Sequence, residues 1–315
     1  MKVFLGIDTS NYTTSAALCD TDGNIILQRK IPLSVAEGQR GLRQSDAVFQ
    51  HTVNLPAVME QLFGSTERYE ILAIGYSLKP CDTDGSYMPC FLSGTASARA
   101  LAAALAVPAF PFSHQSGHIM AAMYSAKMTF DSGPFLAFHI SGGTTDLLYN
   151  EFQDNRLKSE KIGASLDLHA GQVVDRVGVM LGLSFPAGPA LERLAQNCTV
   201  PVPFPKICVK GSFCNLSGLE NLAKKLYDAG EAPETVAAFV FLFLQKTFAE
   251  MLRTAFEKYH DLPVLFAGGV SGNRLIRPSL SKICRAGAFF AEPSFSSDNA
   301  AGVALLAKFN YGAVT

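Results

Sequence analysis

Phe135-Leu136-Ala137-Phe138-His139-Ile140-Ser141-Gly142-Gly143-Thr144-Thr145-Asp146 decides how this chain reads. A short apolar run that ends in small and hydroxyl-bearing residues fits a strand buried on both faces and followed by a tight turn. Gly142 and Gly143 allow positive φ and close approach of a ligand to the backbone. Their N–H groups, with the hydroxyls of Ser141, Thr144 and Thr145, form a nest suited to an anion such as phosphate. A plain hairpin is the competing reading of the same residues.

The series around this turn occurs twice. Val3 to Asp8 reads as a strand, Thr9-Ser10-Asn11 as its turn and Ser15 to Cys19 as a second strand. Asp22-Gly23 turns into a third strand, Ile25 to Ile31. A helix over Val48 to Leu62, a strand over Ile71 to Leu78 and a helix over Gly94 to Leu105 follow. The second copy has strands at Phe135 to Ile140, Thr145 to Glu151 and Leu157 to Ile162. Helices follow over Ala170 to Leu181, from Glu192, and from Pro233 to about Tyr259. A strand at Val264 to Ala267 and a helix at Asp298 to Phe309 close the chain.

Two like halves with matching turns predict an α/β, two-lobed actin-like ATPase architecture, with the turns on opposite sides of one cleft. This is the ASKHA, sugar-kinase and Hsp70 arrangement of duplicated RNase H-like lobes. A Rossmann fold is disfavoured because no GxGxxG follows the first strand. The expected lobes are residues 1–130, completed by the C-terminal helix 298–315, and residues 131–297.

Composition narrows the class. The chain has 315 residues, 48% hydrophobic and 17% charged, enough to bury a core in each of two domains. Its formal net charge of −1 supplies no general attraction to nucleic acid, so RNA contact needs a local surface or a helper subunit. Seven cysteines with no CxxC pair, behind an opening that reads as a strand rather than a leader, imply reduced thiols and a cytoplasmic location. The longest apolar run, Val236 to Leu244, is nine residues, against the ~20 a membrane span needs, so no membrane is expected.

Five further segments carry chemistry. His114 and His118 stand at i and i+4, so on a helix they share one face and can chelate one ion. Asp298, in Ser297-Asp298-Asn299, is the best distant carboxylate to join them. Imidazole and carboxylate suit iron and zinc alike. Gly268-Gly269-Val270-Ser271-Gly272-Asn273 follows a strand and precedes a helix. It can seat a base or ribose, Asn273 offering its amide, or it is an ordinary connection with Asn at the cap. Asp167 and Asp175 flank Gly171 and either bind ribose hydroxyls or face solvent. Pro186-Ala187-Gly188-Pro189 is a rigid turn that backs a base or stops a helix.

The order HxxxH, SGG, an Asp before a PxGP turn, GGVSxN and SDN resembles the tRNA adenosine threonylcarbamoyltransferase family (TsaD; glycoprotease or peptidase M22-like). The likeness runs from Phe4-Leu5-Gly6-Ile7-Asp8-Thr9-Ser10 to Ser297-Asp298-Asn299. It implies transfer of a threonylcarbamoyl group from its adenylate to adenine N6 in tRNA. It implies one divalent metal, iron or zinc, on His114, His118 and Asp298, which also form the catalytic set. An adenine nucleotide, threonylcarbamoyl-adenylate or ATP, would be held by His139, Ile140, Ser141, Gly142, Gly143, Asp175, Gly188 and Asn273. Glu192 would reach the ribose, and Thr9, Ser10 and Gly269 belong to the turns around the substrate. The implied partners are tRNA and proteins of the same pathway, among them a related heterodimer subunit.

After Thr9-Ser10 the chain continues as Asn11-Tyr12-Thr13, so two acidic side chains of the family's opening are missing. Thr144 replaces a His, and Leu168 and Gln172 replace an Asp and a Glu. The stretch from Lys79 to Pro89 also departs from the family's GPG-containing loop. These departures imply a divergent paralogue, for which the alternative is a non-catalytic nucleotide-binding member that heterodimerises with the enzyme. A kinase of this architecture would want a catalytic Asp opening the second lobe and no HxxxH pair. A zinc peptidase would want the Glu of HExxH.

Overall fold

The computed structural model describes residues 1–10, 12–35, 42–64, 66–129, 133–154, 156–295 and 300–312. In order, the elements are β1 (Lys2–Ser10), β2 (Thr13–Asp20), β3 (Ile25–Pro32), α1 (Gln44–Phe63), β4 (Glu70–Lys79), α2 (Phe91–Leu105), β5 (Ala109–Ser113) and α3 (His114–Ser125). Then come β6 (Phe135–Ile140), β7 (Thr145–Gln153), β8 (Arg156–Ser165), α4 (Ala170–Met180), α5 (Gly188–Gln196), β9 (Val209–Lys210), β10 (Phe213–Cys214) and α6 (Ser217–Asp228). The last are α7 (Pro233–Tyr259), β11 (Val264–Ala267), α8 (Arg277–Ile283), β12 (Ala288–Phe290) and α9 (Ala301–Tyr311).

The chain forms two compact units. One comprises Met1–Ser125, Phe152–Lys158 and Ser294–Thr315, the other Ala126–Glu151 and Ser159–Pro293. The first sheet runs β3-β2-β1-β4-β5, with β1 antiparallel to β2 and parallel to β4. The second runs β12-β11-β6-β7-β8-β10-β9, with β6 antiparallel to β7 and parallel to β11. Read from β8 to β12, its order repeats that of the first sheet. The duplication expected from the two turns is thus a duplication of strand order.

In both units the central strand is buried along nearly its whole length, as a strand covered on both faces is. Leu5, Ile7, Leu18, Val58 and Ile74 lie in the core of the first unit, and Phe138, Val174, Phe243, Leu252 and Phe266 in that of the second. Helix α7 is long and apolar enough to cross a bilayer by length and composition, yet 72% of its apolar window is buried in the second unit. Burial pushes the thiols of Cys19, Cys214 and Cys284 up to about 12, so they act as packing groups.

Two local expectations are corrected, and one strand is additional to those expected. Thr9 and Ser10 continue β1 as strand instead of turning. The short helix begins at Gly188, not Glu192, because Pro189 sits in its first turn, where a missing N–H costs nothing. Strand β5, containing Pro111, lies beyond β4 at the sheet edge, where proline is tolerated.

Candidate functional site

The histidine pair belongs to the first unit. Helix α3 starts where it does because Ser113 caps it, its Oγ accepting the Ser116 N–H at 3.1 Å. Asp82 accepts from the hydroxyls of Ser113 and Ser116 at 3.1 and 3.0 Å. The loop that departs from the family's pattern is therefore pinned to the start of the histidine helix. One turn of α3 brings His114 and His118 together, with Nε2 atoms 2.9 Å apart. His114 Nδ1 lies 2.9 Å from Asp8 Oδ2, and Phe91 packs against the same ring.

Among the described residues no group of three His, Cys, Asp or Glu side chains forms a metal cluster, and Asp298 lies outside those residues. The donor set present nevertheless fits two positions of a transition-metal site. Two imidazole nitrogens converge on one point, and one ring is oriented by a buried carboxylate, as in carboxylate–histidine–metal sites. The close crossing of α3 and α9 at Gly117 and Gly302 brings the N-terminal end of α9 beside the histidine-bearing turn.

Thr9 and Ser10 do not serve as ligand groups here. Both are fully buried. Thr9 Oγ1 donates to the Cys90 carbonyl and accepts from the Gly94 N–H, and Ser10 Oγ donates to Asp8. They tie β1 to the start of α2 and to Asp8. Asp8 itself was not singled out as a site residue. Its only local signal is its place at the end of the apolar run Val3 to Ile7.

The remaining expected residues lie in the second unit. Strand β11 pairs with β6 so that Ala267 sits opposite His139, which sets the Gly268 turn beside the Ser141 turn. Gly268 has φ +93°, and a Cβ added there would lie 2.3 Å from the Ile140 carbonyl oxygen, so there is no room for a side chain. Ser141 accepts the Gly171 N–H at 3.0 Å, and a Cβ on Gly171 would meet the Gly142 nitrogen at 2.6 Å. Helix α4 thus abuts the Gly142-Gly143 turn. Gln172 supports its start by accepting the His169 N–H at 3.0 Å. Asp175 accepts the Ala187 N–H at 2.8 Å and so fixes the turn that leads into Gly188. Glu192 accepts the Arg274 N–H at 2.9 Å and so ties α5 to the Gly269–Asn273 turn. Ile140 is fully buried, so only its backbone is available.

Asn273 takes its cap role: Oδ1 accepts from the N–H groups of Leu275 and Ile276 at 2.9 and 3.2 Å. That leaves its Nδ2 for a ligand. An open cavity of about 750 Å³ lies beside this cluster. Gly142, Gln172 and Asp175 line its polar side, Val179, Met180 and Phe185 its apolar side, and the Arg176–Glu220 ion pair stands at 3.0 Å.

Asp167 proves to be structural. It accepts from the N–H groups of Leu168, Leu216 and Ser217 and from the hydroxyls of Ser217 and Ser165, clamping the start of α6. Partial burial pushes its carboxyl up, but the Ser217 hydroxyl and the three backbone donors outweigh this and hold it well below the usual range. This stability is present above the ordinary Asp pKa of ~4 and is lost as pH falls below it. Asp167→Asn is expected to cost about 1–2 kcal/mol at pH 7 in urea unfolding, a figure reduced for the residue's exposure. An unchanged urea midpoint would show that the clamp contributes nothing.

Comparison with known proteins accords with this geometry. Residues 32–305 match the family described as tRNA N6-adenosine threonylcarbamoyltransferase. The protein of that name from Methanopyrus kandleri is 29% identical over 313 residues, covering 96% of this chain and 86% of the relative. The one from Halalkalibacterium halodurans is 30% identical over 330 residues, covering 98% and 91%. Among solved structures, full-length HypF in its phosphate- and nucleotide-bound form aligns with TM-score 0.59 at 12% identity, over 98% of this chain and 55% of HypF. Component A of the Acidaminococcus fermentans (R)-2-hydroxyglutaryl-CoA dehydratase aligns with TM-score 0.56 at 14% identity, over 99% and 100%. A ROK family glucokinase from Streptomyces griseus, solved with glucose and AMPPNP, aligns with TM-score 0.53 at 12% identity, over 97% and 99%. These likenesses and the duplicated strand order establish the actin-like ATPase fold, and the chain belongs to the tRNA N6-adenosine threonylcarbamoyltransferase family.

Proposed function

We propose that this chain transfers a threonylcarbamoyl group from its adenylate to adenine N6 of a tRNA, in the cytoplasm and with the help of partner proteins. The observation that supports this most is the convergence of the two Nε2 atoms of His114 and His118 at 2.9 Å in a member of this family. In the reaction an N–C bond forms between adenine N6 and the carbamoyl carbon. The bond from that carbon to the AMP phosphate oxygen breaks, AMP leaves and N6 gives up one proton. His114 and His118, with Asp298, would hold one divalent ion, iron or zinc. When bound, such an ion supplies a Lewis acid for a carbonyl oxygen.

The second unit's residues have the adenylate to bind. The Ser141-Gly142-Gly143 turn offers backbone N–H groups to phosphate. Asp175, beside the cavity, offers a carboxylate to ribose hydroxyls, and the apolar wall of Val179, Met180 and Phe185 suits a purine face. With a formal net charge of −1, the chain has little electrostatic grip on RNA, which supports dependence on a partner, including a related subunit.

The test is mass spectrometry of tRNA nucleosides after incubation with threonylcarbamoyl-adenylate and tRNA. The chain is assayed alone, with partner proteins, and as His118→Ala. Partner-dependent threonylcarbamoyladenosine that vanishes in the variant is expected. Modification undiminished in His118→Ala would sink the role of the histidine pair. No modification, but a rise in melting temperature with adenine nucleotide, would favour the non-catalytic regulatory reading suggested by the departures at Tyr12, Thr13, Thr144, Leu168 and Gln172.

A further inference from the structure

We propose that Asp8 is a positioning residue that sets the tautomer and orientation of His114 and so pre-forms a two-nitrogen chelate for a divalent transition metal. This rests on the reading of His114 and His118 as ligands. Asp8 is 106 residues from His114 in sequence, yet its Oδ2 is 2.9 Å from His114 Nδ1. An ionised carboxylate only accepts hydrogen bonds, so the proton sits on Nδ1. Nε2 then keeps its lone pair, and Nε2 is the atom that faces His118. Ser10 Oγ donates to the same Oδ2 at 3.1 Å and holds the carboxylate in place from within its own strand.

The surroundings of Asp8 are what a purely structural role would avoid. The residue is 1% exposed, and its Oδ1 has no hydrogen-bond partner among the described residues. No Lys or Arg pairs with it there, and His114 is its one ion-pair partner. Burying a carboxylate with an unsatisfied oxygen and no Lys or Arg beside it is costly, whereas an amide or apolar residue would fill the volume more cheaply. A cation bound to the adjacent imidazoles offsets that charge, since a bound ion dominates local electrostatics. Outer partners of this kind alter metal affinity by about 10–100-fold.

The test strips the full-length chain with a chelator and measures Zn²⁺ affinity by competition with a chromophoric chelator, and Co²⁺ binding by its visible spectrum. Asp8→Asn is expected to weaken Zn²⁺ about 10–100-fold and to shift the Co²⁺ bands. Asp8→Glu is expected to restore part of the affinity, and His118→Ala to remove most of it. Nitrogen NMR of the metal-free chain is expected to show His114 protonated at Nδ1 in the natural protein and redistributed in Asp8→Asn. Melting in chelator shows whether the Asn variant folds. If it does not, the Glu variant and the tautomer of the natural chain decide. Metal bound equally well by the natural and folded Asn proteins, with unmoved Co²⁺ bands, would overturn the positioning role alone. His114 protonated at Nε2 in the natural chain would overturn it as well. A natural chain that binds neither metal would overturn the ligand reading, and this role with it.

Discussion

Valine in place of Gly302 is expected to abolish stable folding of the first unit. Gly302 opens α9 where that helix crosses α3. A Cβ there would fall inside the Gly117 carbonyl oxygen and lie 2.7 Å from the Ala121 nitrogen. Both obstacles are helix backbone, so no flexible side chain can yield. Overpacking a core ordinarily costs about 1–3 kcal/mol, and here relief requires moving two helices apart. That would unpack Val303, Ala304, Leu305 and Leu306, all buried, and lose several kcal/mol of apolar burial, a large part of a typical ~5–15 kcal/mol stability. Circular dichroism melts test this, with Gly302→Ala intermediate. Gly218, where an added Cβ meets nothing within 4 Å, is the control, and Gly218→Ala is expected to be neutral or slightly stabilising. A melting curve for Gly302→Val that matches the natural protein would refute the close crossing, and with it the placement of α9 beside His114 and His118.

Acid sensitivity is the second large effect. His51 on α1 is fully buried, and its Nδ1 is 2.8 Å from Thr14 Oγ1. Burial pushes its pKa down to about 4, against the opposing pull of the Asp8 charge. An unfolded His titrates near 6.5. Between these values the unfolded chain takes up a proton that the folded chain refuses. Stability is therefore full above pH ~6.5 and falls as pH drops towards 4, by about 3 kcal/mol in all. Roughly 1.2 kcal/mol of this is lost between pH 7 and 5.5, before carboxylates add their own effect. Urea midpoints of the natural chain and of His51→Gln across that interval measure it. The Gln protein is expected to show a much flatter dependence. Equal slopes would mean that His51 accepts its proton in the folded state.

Much of the site was local enough to be read directly. The i, i+4 spacing of His114 and His118 needs only a helix, and the helix needs only Ser113 at its cap. The glycine turns were visible because each follows a strand with an apolar run that few other structures explain. Asp167 and Thr9 were misleading for a common reason. Short polar side chains near a glycine-rich turn serve equally as ligands or as clamps, and the choice depends on residues far away. Asp167 meets Ser217, 50 positions on, and Thr9 meets Cys90 and Gly94, 81 and 85 positions on.

The sequence alone determined the repeated succession of strands and helices, the α/β class and the resemblance to the family, because alternation of apolar runs and small-residue turns reports on the backbone locally. Tertiary structure decided which polar groups are spent internally and which remain. The chain from Ser10 to Asp8 to His114 to His118 depends on β1 lying beside the start of α3, and the two glycine turns of the second unit lie side by side through the pairing of β6 with β11. A hydrogen bond is fixed by distance and angle in space, and neither can be read from the types of residues separated by a hundred positions.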